Sequence, residues 1–308
     1  MQGLRSGFCG GVLTGCLLVV LLCQSVMAAD ASVETSKSSP EIPQRVVSMN
    51  LCLDQLAIML AKPGQLKAIT HFTQDPAMSM LSEEAMAYPS HTGSAEEIFS
   101  MDADLVLTGT YTNRATIDML EHLNRRVVSI PPAFSLDDIR KNILQVGEVL
   151  GQSVKAEKLV SEFDQQFAKI RESAKHKSGE SAKRFSAASY GANLYMQGDT
   201  TLEREMVEAA GFEHYGTQRK LGYGGRVSLE ELVIDPPDVL LLGNYQKDGM
   251  HAYAHLEHPV LKKVIPSSQR SGTHPRHWAC GTPFVLEAVK QLVQLRKKLE
   301  AQHKDKQP

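Results

Sequence analysis

Two cysteines, a group of histidines and a set of tyrosines are the residues in this chain best suited to chemistry. After residue 28 the only cysteines are Cys52 and Cys280, the other three being Cys9, Cys16 and Cys23. Such a pair has three readings: a disulfide, two thiolates for a soft or borderline metal, or inert buried thiols. His251, His255 and His258 fall at spacings of four and three, as one helix would place metal ligands, and His274 and His277 follow. His258 precedes Pro259, however, and is expected to start a helix, so the three are not expected to share a face. Hydrolase, metalloprotease and nucleotide-binding patterns are missing from the sequence: there is no Gly-x-Ser-x-Gly, His-Glu-x-x-His, Gly-x-x-x-x-Gly-Lys, or Gly-x-Gly-x-x-Gly between strand and helix. The expectation is a binding protein with no catalytic residues, no resident cofactor and no protein-held metal; an exported enzyme on a two-lobed scaffold is the rival from another class.

The elements that would position these residues are announced by a repeat. Residues 94–111 (SAEEIFSMDADLVLTGTY) and 228–245 (SLEELVIDPPDVLLLGNY) align at an offset of 134 with seven identities: Ser94/Ser228, Glu96/Glu230, Glu97/Glu231, Asp104/Asp238, Leu107/Leu241, Gly109/Gly243 and Tyr111/Tyr245. Each copy reads as a short helix opened by a Ser-x-x-Glu capping box and followed by a buried strand, Leu105–Leu107 or Val239–Leu242, that ends at a Gly. A period this long argues for two related lobes rather than a solenoid.

At 308 residues, 42% hydrophobic and with a net charge of −2, the chain has room for two lobes and shows no basic excess of the kind nucleic acid would require. Its beginning has the pattern of a cleavable export signal: Arg5, the apolar run Leu17–Leu22, then Val26-Met27-Ala28 before Ala29-Asp30. The lipoprotein-type Leu13-Thr14-Gly15-Cys16 ranks second, because most of the apolar run follows Cys16. In an oxidising compartment the disulfide reading of Cys52 and Cys280 gains weight.

Six segments are expected: a signal peptide (1–28), an unstructured leader (29–43), an α/β lobe (44–134), a helical spacer (135–178), a second α/β lobe (179–300) and a polar tail (301–308). In the first lobe, strands at 45–49, 67–70, 105–107 and 126–130 alternate with helices, which implies mostly parallel sheets. The spacer contains apolar residues three or four apart from Leu136 to Leu150, then a second helix of about 25 residues from Ser153, roughly 37 Å at 1.5 Å per residue. In the second lobe, 185–190 reads as a strand, 191–199 as a loop, 202–210 as a helix and 222–225 as a flexible turn, with late helices at 258–265 and 283–299.

The chain resembles periplasmic solute-binding proteins of the cobalamin and iron–siderophore ABC importers, whose two α/β lobes are joined by one long helix. The resemblance covers roughly residues 44–300 and rests on Arg45-Val46-Val47-Ser48, the paired Glu-x-Ile/Leu…Asp stretches, Leu150-Gly151 before the long helix, and Trp278 before the last one. It implies a periplasmic protein, expected as a monomer, that captures a metal chelate carrying Fe or Co between its lobes and delivers it to an inner-membrane permease. Haem or free zinc or manganese is the alternative ligand. It further implies that one exposed acidic residue per lobe docks on the permease; Glu97 and Glu231 sit where they can close their capping boxes, so Glu96 and Glu230 are the expected pair.

Ligands of open parallel sheets sit beyond the carboxyl ends of the strands. That rule nominates Asn50, Cys52, Asp54, His71, Gln74, Tyr111 and Arg114 from the first lobe. From the second it nominates Tyr190, Asn193, Tyr195, Tyr223, Asn244, Tyr245 and Trp278. Rings with a few hydrogen-bonding groups suit a large, flat, partly polar ligand, and Arg114 would suit an anionic one.

Overall fold

Val46-Val47-Ser48 is the strand from which the first lobe is built. A computed structural model describes residues 41–175, 184–242, 251–272 and 275–305. In the first lobe the chain runs through β1 (Val46–Ser48), α1 (Leu51–Leu60), β2 (Leu66–Thr70), α2 (Ser82–Ala85), β3 (Ser90–His91), α3 (Ala95–Ser100), β4 (Leu105–Gly109), α4 (Arg114–His122) and β5 (Val127–Ile130). The five strands form one sheet in the order β3-β2-β1-β4-β5, and every pair is parallel. The central strands are buried on both faces, which explains why β1 and β4 read as continuous apolar runs rather than alternating ones.

Two helices follow, α5 (Leu136–Val149) and α6 (Ser153–Ala174). Ser135 caps α5 by accepting the Asp138 amide at 3.0 Å. The 22 residues of α6 span about 33 Å, and this helix joins the two lobes.

The second lobe contains β6 (Ser186–Ser189), β7 (Tyr195–Gln197), α7 (Leu202–Ala209), β8 (Glu213–His214), α8 (Tyr215–Gln218), β9 (Gly224–Arg226), α9 (Leu229–Ile234), β10 (Val239–Leu242), α10 (Pro259–Val264), β11 (Arg270–Gly272) and α11 (Val285–Lys304). Its main sheet, in the order β11-β10-β6-β8, is also parallel throughout. The sequence reading of 191–199 as loop and 222–225 as flexible turn needs correction: Tyr195–Gln197 and Gly224–Arg226 pair as an antiparallel ribbon. Gly is a poor strand former by itself, so local sequence concealed a pairing that only the partner strand creates.

The repeat has a structural purpose at its Asp. Asp104 accepts the backbone amides of Gln44 and Arg45 at 2.9 and 2.8 Å, fixing the entry to β1 beside β4. Asp238 accepts the Ser186 amide at 2.8 Å and so fixes the start of β6 beside β10. The two copies also diverge. Glu231 completes its capping box with Ser228, whereas Glu97 turns to the Thr92 amide and hydroxyl at 3.0 and 2.7 Å instead of reaching back to Ser94.

One apolar cluster runs through both lobes. It joins Leu56 and Leu60 of α1 to Ile139 and Ile143 of α5, Phe163 and Ile170 of α6, and Leu292 of α11. It continues into Met206 of α7 and Leu241 of β10. Buried Arg296 of α11 adds polar ties, donating to the carbonyls of Ala210 and Ala174 at 2.8 Å each.

Asp54 of α1, nominated from sequence for the cleft, instead points into the first lobe. Its Oδ2 accepts the Thr70 amide (2.9 Å) and the hydroxyls of Thr70 (2.6 Å) and Thr73 (2.5 Å), which ties α1 to the end of β2. Burial pushes its carboxyl up to about 6, and these hydrogen bonds pull it back only in part. Because the folded chain holds this proton more tightly than the unfolded chain, the associated stability is complete below the ordinary carboxyl range and is lost as pH rises through about 6. Between pH 4 and 7 the unfolding free energy of the native protein should therefore fall by about 2 kcal/mol relative to that of Asp54→Asn. Parallel denaturant titrations of the two proteins check this; identical pH profiles would refute it.

Candidate functional site: the interlobe cavity

The carboxyl ends of β1, β4 and β5 face those of β6 and β10 across a cavity of about 880 Å³. Asn50 stands at its first-lobe wall because it is the N-cap of α1, its side-chain oxygen accepting the Cys52 and Leu53 amides at 3.0 and 3.3 Å. Gly109, at the end of β4, makes room for it: a Cβ there would lie 2.9 Å from Asn50 Nδ2.

Cys52 follows on the first turn of α1 and is joined to Cys280 in a disulfide, with the two Cα atoms 5.1 Å apart. Of the three readings open at the level of sequence, the structure adopts the bridge. Trp278, Ala279 and Gly281 around Cys280 line the same cavity. Gly281 nests against the first lobe so closely that a Cβ would fall 2.3 Å from that of Ala133. Further ties between the lobes flank the bridge, with Glu205 of α7 accepting the Leu136 amide of α5 at 2.8 Å.

Aromatic rings line the cavity. Tyr111 is 84% exposed and Tyr223 69% exposed, so both are free to meet a ligand. Tyr223 meets Phe134 edge-on with ring centroids 5.9 Å apart. The Tyr195 hydroxyl donates to the Tyr223 carbonyl at 3.3 Å, which steadies the β7–β9 ribbon. Tyr190, by contrast, is buried: its hydroxyl donates to the Val227 carbonyl at 2.7 Å, and burial raises its pKa, keeping the phenol protonated.

Of the nominated residues, Asn50, Cys52, Tyr111, Tyr190, Tyr195, Tyr223 and Trp278 meet at this cavity. His71, Gln74, Arg114 and Asn193 do not line it, each for a local reason. The Gln74 amide donates to the Tyr88 and Ala85 carbonyls at 3.0 and 3.3 Å, closing the loop after β2. His71 is exposed beside Phe72, with Nδ1 3.4 Å from the His91 carbonyl. Arg114 pairs with Asp118 one turn along α4 at 2.7 Å. Asn193 takes the left-handed conformation (φ 54°) of a tight turn and is exposed. Tyr245 and Asn244 lie outside the described residues, as does His274. His258 caps α10 and His255 lies edge-on to Tyr190 with ring centroids 4.9 Å apart, so these two serve separate local ends.

Sequence reasoning missed Phe134 and Glu203. Phe134 had a signal, since it follows Pro131-Pro132 at the carboxyl end of β5, where the strand-end rule should have reached. Glu203 had none, because an acidic residue in the first turn of a helix looks like an ordinary dipole partner.

Fold and cavity together define a two-lobed α/β protein with a cavity between its lobes. Residues 46–262 match the model of the periplasmic binding protein family, and the chain belongs to that family. Solved structures agree on the fold. A periplasmic haem-binding protein from Roseiflexus sp. RS-1 superposes with a TM-score of 0.68 at 18% identity, covering 82% of this chain and 97% of its own. The periplasmic vitamin B12-binding protein of Vibrio cholerae gives 0.61 at 16% identity, covering 83% and 97%. A protein of the ABC-type Fe3+-hydroxamate transport system from Saccharomonospora viridis gives 0.62 at 18% identity, covering 82% and 93%. No curated protein sequence matches the chain. Among the described residues, no helix is long and apolar enough to cross a membrane.

The bridge closes a long loop, so replacing Cys52 and Cys280 together by Ser should lower stability by about 3–5 kcal/mol. Thiol titration of the denatured chain from residue 29 onward should find no thiol before reduction and two after it; two before reduction would exclude the bridge.

Proposed function

We propose that this protein is the substrate-binding component of an ABC importer, exported to the periplasm, which captures a metal chelate in the interlobe cavity and hands it to an inner-membrane permease. The observation that carries this reading is the aromatic-walled cavity between the lobes. At about 880 Å³ it falls in the upper part of the range for small-molecule sites and suits a ligand the size of an iron–siderophore complex or a corrin. Exposed rings of Tyr111, Tyr223 and Phe134 offer flat apolar surface with phenol hydroxyls at the edges, which matches a chelate with an apolar face and a polar rim. The protein performs no chemistry on its ligand.

Haem is the second reading. It is favoured by the exposed phenols of Tyr111 and Tyr223, since a Tyr oxygen can ligate haem iron. A corrin, a haem and a ferric chelate absorb differently, so the visible spectrum of ligand co-purifying from the native periplasm distinguishes them.

Permease docking is assigned to Glu96 and Glu230. Both are exposed on the first turns of α3 and α9, while their neighbours Glu97 and Glu231 are occupied by Thr92 and Ser228. The single Trp278 in the cavity wall provides the assay. A bound chelate should quench its fluorescence at saturation and be recovered unchanged; turnover of the ligand would favour an enzyme. Charge reversal at Glu96 and Glu230 should abolish stimulation of the transporter while leaving the quenching titration within about twofold; parallel loss of both would reject the docking assignment.

A further inference from the structure

We propose that Glu203 reads the charge of the ligand, so that the cavity selects a neutral or cationic metal chelate over one bearing carboxylates. The inference rests on the reading of the cavity as a chelate site. Among the described residues that line it there is no Arg, Lys or His, and Glu203 is the one charged side chain. Outside the lining, three guanidinium groups are committed to carboxylates. Arg114 is paired with Asp118, Arg219 lies over the Tyr215 ring and reaches Asp235, and Arg140 is paired with Asp164.

Glu203 is not an ordinary surface residue of a helix. It is 9% exposed, sits on the first turn of α7 and faces the cavity, and its Oε1 is buried without a hydrogen-bond partner. Its polar contact is His214 Nε2 at 3.8 Å, beyond hydrogen-bond reach. His214 is itself oriented from behind, since its Nδ1 accepts the Thr217 amide at 3.1 Å. That bond places the ring proton on Nε2, facing Glu203, so the imidazole contributes a dipole rather than an acceptor. The start of α7 adds the positive end of a helix dipole. Oε1 is thus enclosed in the wall beside His214, so Glu203 acts on a ligand through its charge at the cavity lining rather than as an open hydrogen-bond acceptor. Glu205, two residues further along the same turn, shows the contrast: its carboxylate is used up on the Leu136 amide.

A ligand carboxylate brought to this wall would meet a like charge in a partly desolvated site whose described lining residues include no cation. A terminal ammonium would instead be attracted by Glu203, and a carboxamide would escape the repulsion. On this account, haem with its two propionates is disfavoured, while an amide-rimmed corrin or a ferric hydroxamate with a free amine fits.

Matched ligand pairs test this on the native protein by Trp278 quenching. One pair is cyanocobalamin and its monocarboxylic acid derivative; the other is a linear ferric trihydroxamate with a free terminal amine and its N-succinyl derivative; haemin completes the panel. On whichever scaffold binds, the carboxylate form should bind at least about tenfold more weakly, and haemin should not be the tightest ligand. Glu203→Gln, which preserves shape and removes the charge, should bring each pair to within about threefold. Equal or tighter binding of the carboxylate forms, haemin as the tightest ligand, or an unchanged ratio in Glu203→Gln would overturn the assignment of Glu203 and leave the chelate-binding reading standing. If no chelate of the panel binds at all, the chelate-binding reading itself falls, and this inference with it.

Discussion

The shared core of α5, α6 and α11 is the constraint on which the rest of the molecule depends. Phe163 and Ile170 of α6 are packed between residues of α5 and α11 in the same apolar cluster that reaches α1 of the first lobe and α7 of the second. Each such side chain stabilises the fold by about 1.5–3 kcal/mol relative to exposure. Wide separation of the lobes would return several of them to water at once, so large hinge opening is disfavoured. The disulfide between Cys52 and Cys280 and the hydrogen bond from Leu136 to Glu205 tie the lobes close to the cavity as well. The cavity is consequently largely preformed.

The repeat shows how the two lobes were specified. Its identical residues form a mechanical kit: a Ser that caps, an acidic residue that steadies the helix start, an Asp that pins the neighbouring strand, and a Leu that is buried in the central strand. Function enters where the copies differ or end. Glu97 and Glu231 have different partners although their sequence position is the same, because Thr92 lies within reach in the first lobe and offers two donors.

Much of the fold was legible because strands buried on both faces and amphipathic helices leave strong periodic signals. The long interlobe helix, the strand–helix alternation and the capping by Ser135 could all be read from local residues. Seven nominated side chains reach the cavity because the strand-end rule depends on topology rather than on chemistry. The failures share a cause, which is competition from local partners. Gln74 and Arg114 look like ligand-binding groups by residue type, but backbone carbonyls and Asp118 claim them first. Burial is equally invisible in one dimension. Glu203 and Asp54 are both acidic residues near helix starts, yet one faces the cavity and the other is enclosed by threonine hydroxyls in the first lobe. The β7–β9 ribbon was hidden because neither strand carries a pattern of its own.

The bridge at the cavity floor also bears on how the molecule is made. Its two cysteines lie 228 residues apart, and from residue 29 onward they are the only two in the chain. Cys52 therefore cannot meet this partner until nearly the whole second lobe has been made, and within residues 29–308 it has no other. Within that span oxidation has one intramolecular outcome, and the covalent tie can form only after both lobes are present.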